Sequence, residues 1–332
     1  MSKHLMDYKD GESVDCFALI KDVSERQTKA GKPFLSLTFA DESGELGGML
    51  WDSTADDIQQ FKPGVVVHVA GKRDSYRDKP QLNIDEVRLT NPGEPQDPAL
   101  FVPHAPESTE QLKNDLRPYI RDIHNHDWQH VVNYMLKAHL PSFFTSPAAK
   151  TNHHAYAGGL AFHTLSILRL AKAVCGLYDS INRSLIYAGA ILHDLGKTVE
   201  LSGPVATQYT TVGTLLGHIS IIDGEIVKAC DALGIDSERG DMMLLRHVVL
   251  AHHGLMEYGS PVTPHLLEAE ILHRLDELDA SIMMVQSATA KVEAGEFTPR
   301  LFAMDNRAFY RPLPDELGTT NESENEDNVN KE

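Results

Sequence analysis

The chain has 332 residues, of which 42% are hydrophobic and 23% charged, and a formal net charge of −18. This length suits about two ordinary domains, each with its own core. With this composition and no apolar run near the length that crosses a bilayer, the sequence predicts a soluble globular protein. The acidic balance argues against binding to nucleic acid by charge alone, because phosphates are attracted mainly by Lys and Arg.

The cysteines and the N-terminal residues indicate the cellular compartment of the protein. Cys16, Cys175 and Cys230 are too few and too scattered for a disulfide framework or a thiolate metal site. The first residues are polar and do not have the pattern of a signal peptide. Together these features predict a protein of the reducing cytoplasm.

At the C-terminal end, residues 313–332 are strongly acidic, which predicts a disordered tail.

Residues 12–91 predict a small β-barrel. Short runs of β-branched and alternating apolar residues, such as Phe34 to Phe39 and Val65 to Val67, are typical of strands. Five such runs, with a short helical stretch STADDIQQF between the third and the fourth, follow the order of the OB-fold, which often binds oligonucleotides. Another small barrel of similar size is the alternative.

Basic residues concentrate in two connections of this barrel, between the first two strands and between the last two. OB-folds bind nucleic-acid strands through such loops, and an aromatic residue in a loop can stack on bases. Alternation places Phe34 and Trp51 in the barrel core rather than on a stacking surface. The predicted nucleic-acid contacts are Lys29, Lys32, Lys72, Arg73, Tyr76, Arg77 and Lys79.

The rest of the chain predicts helices after a linker. Prolines are frequent in residues 92–106, which predicts a semi-rigid linker without helix. Residues 107–312 have helical patterns throughout. The final helix is predicted to begin with Thr263 as its cap and Pro264 in its first position. The predicted architecture is therefore multidomain, a five-stranded OB-type barrel followed by an all-α domain.

Candidate metal ligands lie near the ends of the predicted helices. Adjacent helical residues point about 100° apart, so His193 with Asp194, and His252 with His253, share a cavity most easily in a last turn. Gly196 and Gly254 are predicted to end those helices. A lone histidine is more often a core residue, so the combination carries the prediction. The candidate ligands are His163, His193, Asp194, His218, His252, His253 and Asp276.

The motif HDLGK at His193–Lys197, with His163 upstream and HRLDELDA downstream, resembles the HD superfamily of metal-dependent phosphohydrolases. The resemblance implies Asp276 as the distal ligand, with Asp279 one turn later as the reserve. It also implies that a metal-activated water attacks phosphorus.

Further roles follow from the same resemblance. His218, with His252 or His253, corresponds to the extra ligands of members that hold two ions, and Asp194 to the bridging carboxylate. Catalytic roles are implied for Asp194 and for Lys197, which would stabilise charge near the phosphate. Imidazole and carboxylate ligands without thiolates suit Mn²⁺, Co²⁺, Fe²⁺ or Zn²⁺, and they do not distinguish one ion from two.

The barrel placed before an HD domain resembles the YhaM-type 3′-5′ exoribonucleases over nearly the whole chain, including KPFLSLTFADESGELGGMLWD, HHAYAGGLAFHTLSILRLA and AILHDLGK. This implies an enzyme that uses Mn²⁺ to trim single-stranded RNA, and single-stranded DNA as well, from the 3′ end. Two alternatives stay open, a small-molecule phosphodiesterase or nucleotidase and a non-enzymatic single-strand binding protein. Whether the chain forms a homo-oligomer is also open.

Overall fold

The computed structural model describes residues 3–76, 79–150 and 154–317, without the side chains of Tyr76 and Lys79. Within this part the chain divides between Asp276 and Glu277 into two compact units. The predictions made for Arg77, for the side chains of Tyr76 and Lys79, and for the tail beyond Leu317 lie outside the described residues.

The N-terminal part is a β-barrel, as predicted. A core that includes Ile20, Leu37 and Phe39 fills it, because alternate residues of each strand face the interior. β3 and β5 pair in parallel and close the barrel in the order β1-β2-β3-β5-β4. The described strands are β1 (Ser13–Gln27), β2 (Pro33–Asp41), β3 (Gly44–Trp51), β4 (Val66–Tyr76) and β5 (Lys79–Leu89), with helix α1 (Ala55–Gln60) after β3.

The segment after the barrel differs from the predicted linker. It contains a 3-10 helix, Pro98–Phe101, capped by the Asp97 side chain, because proline is tolerated in a first turn. Phe101 and Val102 are buried with Leu19 and Val66 of the barrel. The segment therefore packs against the barrel instead of acting as a spacer.

The remaining part of the first unit is helical, as predicted. Its core is the largest apolar cluster of the described residues and draws on every long helix from α2 to α9. Among the described residues, no helix is both long enough and apolar enough to cross a membrane. The helices are α2 (Thr109–Arg121), α3 (His126–Ala138), α4 (Gly159–Cys175), α5 (Arg183–Leu192), α6 (Lys197–Glu200), α7 (Thr211–Leu233), α8 (Gly240–Leu250) and α9 (Leu267–Thr289).

The predicted start of the last helix is wrong. α9 begins at Leu267, not at Pro264. The backbone N–H of His265 donates to Nε2 of His247 on α8 at 2.9 Å, so this stretch is held by a contact with a distant residue. The sequence signals for a helix start are local, so they carry no information about a contact with a distant residue.

Candidate metal centre

Asp194 lies between two groups of histidines. Its Oδ2 is 3.5 Å from Nε2 of His163 and 3.4 Å from Nε2 of His193. Its Oδ1 is 3.4 Å from Nε2 of His218 and 3.7 Å from Nε2 of His252. The two oxygens of one carboxylate therefore face different pairs of imidazoles.

These residues form two clusters of potential ligands. In the first cluster, atoms of His163, His193 and Asp276 lie within 4.8 Å of one another, and Nε2 of His163 is 3.1 Å from Oδ1 of Asp276. The structure thus brings Asp276 together with two of the other predicted ligands, His163 and His193. Asp279, the reserve candidate, is a buried residue of the second compact unit.

The second cluster contains Asp194, His218, His252 and His253, whose candidate ligand atoms also lie within 4.8 Å of one another. Both members of the His252-His253 pair are therefore present. The sequence had left open which of the two would ligate.

Hydrogen bonds fix the protonation of the imidazoles. Nδ1 of His193 donates to the carbonyl of Ala190 at 2.8 Å. Nδ1 of His252 donates to the carbonyl of Val249 at 2.6 Å. A carbonyl only accepts, so Nδ1 carries a proton, and in the neutral ring the lone pair is then on Nε2.

Several buried polar atoms at the centre have no hydrogen-bond partner within the described part of the chain, namely Nε2 of His193, His218 and His252 and Oδ1 of Asp194. Native proteins rarely leave such groups unsatisfied, and each case needs an explanation. All four are lone-pair donors directed at one small region. They fit divalent cations that accept nitrogen and oxygen ligands.

Glu200 is a member of the centre that the sequence analysis missed. Its Oε1 accepts hydrogen bonds from Nδ1 of His218 at 3.1 Å and from the His218 backbone N–H at 3.0 Å. Burial opposes ionisation of Glu200, but the His218 hydrogen bond outweighs it and lowers the pKa of the carboxyl. Carboxylates that orient a ligating histidine are typical of metal sites. The spacing of three residues from Lys197 places both on one helix face and could have indicated Glu200.

Lys197 pairs directly with Asp194, at 2.6 Å from Nζ to Oδ2. Burial disfavours both charges, yet the pKa of Lys197 is raised by Asp194 and Asp276, and the pKa of Asp194 is lowered by Lys197 and His193. Burial also opposes the charge of Asp276, and the hydrogen bond with His163 lowers its pKa. The aspartates are therefore held ionised, as metal ligands must be.

The histidines of the second cluster are held neutral. Burial lowers the pKa of His218 and of His252. For His253, burial and the neighbouring His252 lower the pKa to about 4. Neutral imidazole is the ligating form.

The helix ends place these ligands. His193 is the C-cap of α5, and Asp194 follows it. Gly196 was predicted to end this helix, but α5 ends earlier, at Leu192, and Gly196 (φ −60°) is the N-cap of α6. A Cβ there would lie 2.4 Å from the carbonyl oxygen of His218, so glycine is needed for close approach of the chain. Gly254 does adopt a positive φ, +74°.

The barrel residues are distributed differently from the prediction. Lys29 and Lys72 are exposed, and Lys32 pairs with Asp52 at 2.9 Å. Arg73 is only 7% exposed, so its burial argues against the predicted contact with a strand. Trp51 is 56% exposed, and its position in the core was predicted wrongly.

Trp51 lies against Phe34, with ring centroids 4.8 Å apart. β2 and β3 pair these two residues directly, and Phe34 is the buried member. The exposed indole is therefore a flat apolar surface supported from below. Such a surface suits base stacking.

Comparison with known proteins gives two family matches, the HD domain at residues 160–281 and the OB-fold nucleic acid binding domain at residues 18–90. The chain is 45% identical over 313 residues to "3′-5′ exoribonuclease YhaM" of Geobacillus sp. (strain WCH70), covering 94% of this chain and 96% of that protein. It is 44% identical over 312 residues to the protein of the same name from Listeria welshimeri serovar 6b, covering 94% and 99%. Among solved structures, the second OB-fold domain of replication protein A from Methanococcus maripaludis matches 29% of this chain and all of that domain, at 20% identity and a TM-score of 0.23.

Proposed function

The chain belongs to the YhaM family of 3′-5′ exoribonucleases, and we propose on that basis that it shortens single-stranded RNA from the 3′ end with the help of divalent metal ions. The observation that carries the proposal is that Asp194, a member of the second cluster, turns its other carboxylate oxygen towards the first cluster. Non-enzymatic binding would not need buried lone pairs gathered at one carboxylate.

The chain's own residues prepare the site. Lys197 keeps Asp194 ionised and in place, and Glu200 fixes the orientation of His218. The first cluster would hold one cation and the second cluster another. A bound divalent cation lowers the pKa of water and draws charge from phosphate oxygens.

We propose Mn²⁺ as the working ion, with two ions per chain. The ligand set of imidazoles and carboxylates without thiolates supports this choice and is also compatible with Co²⁺, Fe²⁺ and Zn²⁺. Titration of the metal-free protein with each ion, read by calorimetry, gives the number bound and their order of affinity.

We propose that the barrel holds the strand and that single-stranded DNA is a second substrate. The OB-fold match and the exposed Trp51 support strand binding, since stacking tolerates any base. Exposed Lys29 and Lys72 supply local positive charge on an acidic protein. A cytoplasmic location is proposed as well, and the three free, buried cysteines suit it.

The decisive experiment uses a 5′-labelled single-stranded RNA incubated with the protein and Mn²⁺, with and without chelator. A ladder of shortened, 5′-labelled products that the chelator abolishes is expected. Single-stranded DNA and mononucleotides run in parallel distinguish an exonuclease from a nucleotidase. Turnover of mononucleotides alone would contradict the proposal.

Replacement of the shared ligand tests the site. Asp194→Ala is expected to lower the rate at least about 10³-fold, since several kcal/mol of transition-state stabilisation depend on the bound cations. Asp231→Ala, at an exposed position of α7, is the matched control. Metal-stimulated trimming by Asp194→Ala would show that the site is assigned wrongly.

A further inference from the structure

Large apolar side chains are exposed in two short segments beside the second cluster. They are Leu215 and Leu216 in the first turns of α7 and Met256 and Tyr258 in the loop after α8, here called the apolar rim. Their exposed fractions are 75%, 59%, 71% and 64%. Groups of exposed apolar residues often mark a binding surface.

Both segments are attached to the second cluster by short connections. Leu216 precedes His218 by two residues, and Gly217 between them (φ 69°, ψ 150°) breaks the helix. On the other side, Nδ1 of His253 donates to the carbonyl of Tyr258 at 2.6 Å. The rings of His218 and His253 are 5.1 Å apart. The two halves of the rim therefore start from neighbouring ligands.

The rim is chemically unlike a phosphate-binding surface. Residues 209–217 and 254–262 contain neither Lys nor Arg, and Glu257 is their one charged residue. Phosphate binding depends mainly on cations, whereas flat bases bind aromatic and thioether side chains.

We propose that the apolar rim binds the bases at the 3′ end of the RNA strand and so holds the terminal phosphodiester beside the second cluster. This inference rests on the proposed function. Contacts to base faces are independent of sequence, so the rim would bind every nucleotide that reaches the centre as the strand shortens.

A double-mutant cycle tests the contact. The wild type and Tyr258→Ala are compared on 5′-labelled RNAs that are intact or carry an abasic residue at the last or the penultimate position. In the wild type, one of the abasic sites is expected to lower kcat/KM about tenfold. Tyr258→Ala should lower kcat/KM on intact RNA by a similar factor and remove the difference between intact and abasic strands.

Two further variants make the result interpretable. Tyr178→Ala, 60% exposed beyond the C-terminal end of α4, is the matched control and should behave as the wild type. Leu215→Ala, whose side chain is also highly exposed, should reproduce the effect of Tyr258→Ala in part. A second variant of the rim is needed because a single substitution can disturb folding. Thermal unfolding of each variant checks that it is folded.

Trimming of intact RNA by the wild type is measured first, because its absence would refute the proposed function itself. With trimming established, an equal loss for Tyr258→Ala on intact and abasic strands would overturn the rim proposal, since the loop rather than a base contact would then be affected. A changed oligomeric state with unchanged discrimination would overturn it too and would identify the rim as an interface between copies.

Discussion

The hydrogen bonds of individual side chains decide what the metal centre can bind. His193 and His252 donate from Nδ1 to main-chain carbonyls, and His218 donates to Glu200. In each case Nε2 keeps its lone pair and points towards Asp194. The binding capacity of the centre therefore depends on residues that would not touch a cation themselves.

Glu200 offers the sharpest test at this scale. Glu200→Gln keeps the volume of the side chain and removes its charge, so His218 is held less firmly and is less basic. We expect the affinity of the second cluster for Mn²⁺ to fall about 10- to 100-fold, as measured by calorimetry. Glu110→Gln, at an exposed site in α2, should change nothing. Unaltered affinity in Glu200→Gln would contradict an orienting role.

The pKa of His253 predicts how the stability of the metal-free protein changes in acid. Its pKa is about 4 in the fold, against an ordinary value of 6.5, because burial and His252 disfavour the charged form. Between these values the unfolded chain takes up a proton that the folded chain refuses, so stability falls as the pH drops from 6.5 to about 4.

Thermal unfolding of the metal-free protein across this range measures the effect. His253→Gln is expected to make Tm less dependent on pH between 6.5 and 4. His126→Gln, at an exposed position, should keep the dependence of the wild type. A His253→Gln profile parallel to that of the wild type would show that other groups cause the acid sensitivity.

At the scale of elements, the centre depends on how closely α6 and α7 approach. Gly196 is the N-cap of α6, and a Cβ there would lie 2.4 Å from the carbonyl oxygen of His218. Gly213 in α7 is equally close to Glu200, since its Cβ would lie 2.4 Å from the Glu200 carbonyl oxygen. The two glycines thus let α6 and α7 come close enough for Glu200 on α6 to accept the hydrogen bond from His218 on α7.

Gly196→Ala is therefore expected to displace α7. The clash is with main-chain atoms, so the free energy of unfolding should fall by about 1–3 kcal/mol, and the second cluster should bind metal more weakly. Chemical denaturation and calorimetry provide the two readings. The control is Gly224→Ala, where a Cβ in α7 meets no atom within 4 Å and helix propensity favours alanine by up to about 1 kcal/mol. Equal stability of the two variants would refute the packing argument.

At the scale of the whole molecule, the barrel and the helical part are joined by packing. Phe101 and Val102 are buried with barrel residues, and Ala157 and Val205 of the helical part pack against the same cluster. Removal of the barrel would expose this apolar surface. A single substitution on the barrel is therefore a cleaner test of strand binding than a truncation.

Trp51→Ala is that substitution. Loss of one stacked base costs about 1–3 kcal/mol, so we expect the affinity for a single-stranded RNA of some twenty nucleotides to fall about 5- to 150-fold. Trp51→Phe should retain most of the affinity. Fluorescence anisotropy in the presence of chelator measures binding without cleavage, and normal binding by Trp51→Ala would exclude the indole as a contact.

The sequence by itself determined the fold class and the identity of the candidate ligands. Alternation in the N-terminal part and helical periodicity beyond it are local properties of the chain, and they correctly gave a barrel with α1 between β3 and β4. The ligands could be named because the HD motif combines residue types whose chemistry is known. The resemblance to the HD superfamily nominated Asp276, and the His252-His253 pair was nominated by its place directly before Gly254.

Tertiary structure alone decided the features that depend on what lies opposite a residue. Alternation placed Trp51 inside the barrel, yet the indole packs on Phe34 and faces outward. Charge suggested that Arg73 would face a strand, yet it is buried. The orienting role of Glu200 and the need for glycine at position 196 both arise from contacts with His218, more than seventeen residues away in sequence. Local pattern carries no information about such partners, because burial and close approach are set by packing between distant segments.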